Sequence, residues 1–258
     1  MSTSSPTPSA PSRARGPIRV VPLHIAPAPS VAPVPGPKLT YRGGPLLTAV
    51  EVVTIFWGPS WQAPPQADLS QQINQFFDFV LTSALLDQMS EYSVAGKVIG
   101  HGTHVGTVTL AAPAPGSSID DSGVQQLIQG QISTKAVPPP TPNSLYFVFL
   151  PPGVSVSLGS ESSCTTFCGY HSDINAQIFY AVMPYPDCTG CVGGLTLLDA
   201  VTTTTSHELC EAITDPIPGQ GWYDDQHGEI GDICAWKARR LGAYSIQLEW
   251  SNQAANCV

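Results

Sequence analysis

The chain holds 258 residues, of which only 11% are charged, and its formal net charge is −9. Ten lysines and arginines argue against a nucleic-acid-binding surface, which needs a basic face. No apolar run reaches the ~20 residues that a bilayer-spanning helix requires, and the length suffices for one sizeable core.

Residues 1 to 38 are rich in Pro, Ser and Ala and are expected to be disordered or extended, because they offer too little apolar surface to bury. Arg13, Arg15 and Arg19 look like the charged start of a leader, but Pro17, Pro22, Pro27 and Pro29 interrupt any apolar stretch after them. No export route is therefore read from this end. A single globular domain is placed at residues 39–258.

Val50 to Trp57 is rich in β-branched and aromatic residues and predicts a strand. Ala67 to Met89 predicts one amphipathic helix, with Asp68 or Ser70 as its cap. Val98 to Ala111 predicts a second strand. Within it, His101-Gly-Thr-His104-Val matches the surroundings of the catalytic histidine in subtilisin-like proteases. That mechanism also needs an Asp before the histidine and a Ser in a G-T-S turn after it. No G-T-S occurs, so the match is set aside, although His104 or His101 could still face a cleft. Asp121 to Lys135 predicts a helix. Leu145 to Leu150 predicts a strand central to the sheet, being apolar throughout, and Ile178 to Met183 predicts another. Strands alternating with helices indicate an α/β or α+β domain with a mixed sheet flanked by helices.

Seven cysteines all follow residue 163. Cys164, Cys168, Cys188, Cys191, Cys234 and Cys257 are candidates for disulfides in an oxidising compartment. The spacing of the first four also suits a structural zinc site. Cys257 could pair with Cys234, and Cys210 is left as a buried free thiol. His171, beside the first cysteines, is either an ordinary surface histidine or a group pointing into a site.

The chemistry centres on Thr202 to Asp232. A zincin-like helix carries His207, Glu208 and Glu211 in the pattern H-E-x-x-E, which puts His207 and Glu211 on one face a turn apart. Four consecutive threonines disfavour a helix, so tertiary packing must hold it. Asp215-Pro216 marks its end. A hydrolytic zinc site needs about three protein ligands and a general base. His207 and Glu211 supply two ligands, and Glu229 or Asp232 supplies the third, with Asp215 and His227 as further candidates. Glu208 would be the base. Tyr223, His171 or His104 would stabilise the oxyanion or contact substrate. Because the ligands are rich in oxygen, calcium held structurally is the competing reading.

LTYRGGPLLTAVEVVTIFWG from Leu39, the C-x3-C and C-x2-C pairs, SHELCEAITDP, EIGDIC and a last cysteine after a tryptophan come in the order of the Exordium or phosphate-induced protein family. Over residues 39 to 258 the chain resembles that family, as a bacterial relative of its plant members. The resemblance implies an extracellular or cell-wall-associated protein with disulfides, and leaves its activity open. Two expectations follow. One is a secreted zinc metallopeptidase-like hydrolase acting on a peptide or protein. The other is a non-catalytic extracellular protein with a structural ion, binding a cell-wall polymer.

Overall fold

The computed structural model describes residues 18, 20–24 and 36–258. A six-stranded mixed sheet organises them. Its strands are β1 (Val20–Pro22), β2 (Glu51–Trp57), β3 (Thr103–Leu110), β4 (Ser144–Phe149), β5 (Phe167–Ile174) and β6 (Ile178–Met183). In space they run β1-β5-β6-β4-β2-β3. β3, β2, β4 and β6 are mutually parallel, whereas β5 is antiparallel to both β6 and β1.

Helices cover both faces, which explains why β2, β4 and β6 are apolar without interruption. Side chains alternate across a strand. Val52, Phe56, Leu145, Phe147, Phe149, Phe179 and Ala181 therefore pack on one side, with α1 (Gln66–Val80), α2 (Ala84–Met89) and α4 (Leu197–Thr214). Val53, Ile55, Tyr146, Val148, Tyr180 and Val182 pack on the other, with α3 (Asp121–Ser133).

Three expectations change. The helix foreseen over residues 67–89 is two helices. Ser83 breaks it, in extended backbone, and its side chain accepts the Leu85 N–H to cap α2. α1 starts after Pro65 without a side-chain cap, so neither Asp68 nor Ser70 serves as one. Residues 20–24, part of the segment expected to lie outside the fold, join the main sheet through β1. The rest of residues 1–35 lies outside the described residues, apart from residue 18.

Disulfides join Cys164 to Cys188, Cys168 to Cys191 and Cys234 to Cys257, and Cys210 is buried and free. Such crosslinks belong to proteins kept out of the reducing cytosol. Among the described residues no helix is long and apolar enough to cross a membrane. The Cys234–Cys257 bridge holds the loop after Glu229 against the C-terminal strands β7 (Ala238–Leu241) and β8 (Tyr244–Gln247) and the Trp250–Cys257 pairing. Replacing both cysteines by alanine is expected to cost about 3 kcal/mol, the loop-closure entropy of a link of this span. Urea unfolding at fixed pH measures it.

Candidate metal centre

α4 is buried from Ala200 to Thr214. Thr196 caps its start, accepting the Asp199 N–H. The threonine run is held by β8 as well as by its own backbone. Thr202 Oγ1 donates to the Ser245 carbonyl at 2.8 Å, Thr203 Oγ1 lies 3.0 Å from Ser245 Oγ, and Ser206 Oγ accepts the Gln247 N–H. These bonds give Thr202, Thr203 and Ser206 their partners, so the packing overrides propensity. At the far end the Asp215 carboxylate accepts the N–H groups of Gly219, Gln220 and Gly221, which turns the chain sharply toward the Glu229 loop.

His207, Glu208 and Glu211 leave α4 toward β5 and that loop. Their ligand atoms lie within 4.8 Å of one another, and Glu211 also forms such a group with His171 and Glu229. All five side chains are fully buried, as is Glu249 beyond β8. His171 Nδ1 lies 3.2 Å from Glu208 Oε2 and 3.5 Å from Glu211 Oε2. Its Nε2–H donates to the Asp215 carbonyl at 3.1 Å, and Nε2 is 3.6 Å from Glu229 Oε1. His207 Nε2 lies 3.0 Å from Glu211 Oε1 but at an angle that makes no hydrogen bond.

Many of these atoms have no hydrogen-bond partner. They include both ring nitrogens of His207, Glu208 Oε1, Glu211 Oε2, and both carboxyl oxygens of Glu229 and of Glu249. A native interior seldom leaves buried polar atoms in this condition, and each calls for a water or an ion as its partner. Acids outnumber imidazoles here, and ionised carboxylates in a dry interior repel one another strongly. A divalent cation answers both problems, and the donor set of imidazole nitrogens and carboxylate oxygens fits one.

Without a cation, protons take its place. Burial pushes the Glu229, Glu249, Glu208 and Asp215 carboxyls up from the ordinary range. Burial lowers the two imidazoles, but the Glu229 charge and bonds to Glu208 and Glu211 more than reverse this for His171. The Glu211 charge does the same for His207. Burial also acts to raise Glu211, yet the charges of His207 and His171 beside it bring it below the usual range.

The remaining candidates stand elsewhere or act differently. His171, read as a surface histidine or a group pointing into the site, is fully buried, and its ring groups with Glu211 and Glu229 in a set that could hold an ion. Asp232 supports the loop. Its carboxylate accepts the Glu229 N–H at 3.1 Å, and its own N–H donates to Glu211 Oε1 at 3.0 Å. His227 Nδ1 binds Asp224 at 3.0 Å. Tyr223 sits in a short ladder with Thr40, its ring beneath the Arg42 guanidinium. His104 lies on β3, at the opposite edge of the sheet, bonded to Asp78 and Thr54. Three strands separate β3 from β5, roughly 19 Å at the usual strand spacing, so His104 takes no part. His101 pairs with Asp87.

Glu249 was not singled out by sequence reasoning. The available signal was that Glu249 is the only charged side chain in residues 242–258.

Gly231 shows how tightly the loop closes on the centre. An added Cβ there would lie 2.9 Å from both Glu211 Oε1 and the His207 ring. Gly231→Ala is therefore expected to displace both groups and weaken divalent-ion affinity roughly 10- to 100-fold, as do changes next to ligands generally. Calorimetric titration of stripped protein with zinc measures it.

The fold is thus an α/β domain whose central helix and sheet close on a buried imidazole–carboxylate cluster suited to a cation. No protein-family model matches the sequence, and no curated protein matches it.

Proposed function

We propose that the protein is a zinc-dependent hydrolase of peptide bonds, exported from the cell. The supporting observation is the set of buried, unpartnered ligand atoms gathered around Glu211. Glu211, common to both ligand groups, holds the ion with His207, His171 and Glu229. Two imidazoles favour zinc over calcium, which prefers oxygen alone. Bound zinc would polarise a carbonyl and acidify water. Glu208 is the general base. Burial raises its proton affinity above that of an ordinary glutamate, as a base that takes a proton from water requires. The resemblance to the Exordium family and the three disulfides agree with an extracellular setting.

Complete burial of the ligands favours a second reading. A closed site, with no open coordination position, characterises a structural ion, here in a non-catalytic protein that binds a cell-wall polymer. Metal analysis of purified protein together with a casein assay separates the two. One zinc per chain and cleavage stopped by chelation support the hydrolase. Calcium, or zinc with no cleavage of any peptide, supports the structural ion.

A further inference from the structure

β5 is buried along its whole length, although β6 pairs with only one of its sides. A buried strand edge cannot be left with bare N–H and C=O groups. Residues 20–24 occupy that edge. Val20 pairs with Tyr170, Val21 with Gly169 and Pro22 with Phe167, all antiparallel. Val21 is 2% exposed and packs with Cys168 and Cys191, while Leu23 lies against Gly190. Trp236 Nε1 donates to the Pro22 carbonyl at 2.8 Å, His24 N donates to the Gly190 carbonyl at 2.7 Å, and the His24 and Trp236 rings meet edge to face at 5.1 Å. The β5 edge thus carries a backbone ladder flanked by side-chain contacts, the form in which proteins add an extended peptide to a sheet.

This edge runs beside the metal centre. β1 touches α4. Gly169, the partner of Val21, is so close to the helix that an added Cβ would lie 3.2 Å from Glu208 Oε1 and 2.9 Å from Thr204. His171 follows two residues later on the same face. A peptide lying where β1 lies is one strand spacing, ~4.8 Å, from the strand that contacts Glu208.

We propose that the β5 edge is a docking strand for extended peptides with a small branched aliphatic residue opposite Gly169, and that residues 20–24 fill it as an intramolecular pseudosubstrate. A three-residue ladder is short enough to be displaced. Cleavage of the docked peptide rests on the hydrolase reading, whereas docking does not.

The test uses full-length Val21→Asp, which puts a charge into the Val21 pocket, and Trp236→Ala, which removes the bond to Pro22. The probe is a labelled peptide with the sequence of residues 18–24, IRVVPLH. Both variants should show faster hydrogen exchange at Phe167–Ile174, and Val21→Asp, which keeps Trp236 for the probe's own Pro22, should bind the probe. Wild type should bind it about 100-fold more weakly, because a tethered segment competes at millimolar effective concentration. A probe carrying Asp in place of Val21 should not bind. No rise in exchange in either variant overturns the proposal, since the segment is then not displaceable. So does faster exchange in Val21→Asp without binding of the probe. Probe binding without any casein cleavage leaves docking intact and counts against the hydrolase reading alone.

Discussion

Replacing Glu208 by Gln is expected to lower kcat/KM for peptide cleavage by about 10²- to 10⁴-fold, the usual contribution of a positioned general base, while zinc content stays at the wild-type value. Gln keeps the size of the side chain, so the neighbouring ligands His207, His171, Glu211 and Glu229 stay in place. What it loses is the ability to take a proton. Glu211→Gln makes the contrast. Glu211 belongs to both ligand groups, so that variant is expected to lose zinc and activity together. The pair separates the roles in one comparison of metal content against rate. If Glu208→Gln sheds zinc as readily as Glu211→Gln, Glu208 is a ligand and the assignment of a base is wrong.

The helix that carries these residues was legible because two signals agreed. The four-residue spacing of His207 and Glu211 set a face, and the threonine run, unfavourable in isolation, pointed to tertiary support. β8 supplies that support through Ser245 and Gln247. β4 and β6 were legible for a simpler reason, since strands covered on both faces are apolar throughout.

β5 was not legible. FCGYHSDI has neither an apolar run nor clean alternation. Two of its buried polar residues meet partners from distant sequence: Tyr170 donates to Asp121, and His171 meets the α4 acids. The local sequence does not contain those partners, so it left His171 open between a surface residue and one pointing into a site. The same limit hid β1, whose prolines argue against a strand. Pro22 is tolerated because it sits at the end of a three-residue edge strand, where little pairing is lost.

Removing the ion is expected to lower stability by about 4 kcal/mol at an ion concentration near a thousand times Kd, a fall in Tm of roughly 10 °C for a domain of this size. The loss should grow with pH. In the stripped protein Glu229, Glu249, Glu208, Asp215 and both imidazoles hold protons more tightly than they would unfolded. The folded state then binds more protons than the unfolded state, so stability falls as pH rises. For the carboxyls the loss begins above their unfolded value near ~4.3, and for the imidazoles above ~6.5. Glu211, lowered in the fold, works the other way but is one group against six. The loaded protein behaves oppositely, because an ion needs these groups without their protons and binding releases them. The Tm gap between loaded and chelated protein should therefore widen from pH 5.5 to pH 8, and calorimetry in buffers of different ionisation enthalpy should show proton release on loading. A gap independent of pH, with no protons released, would mean that the cluster around Glu211 is not where the cation sits.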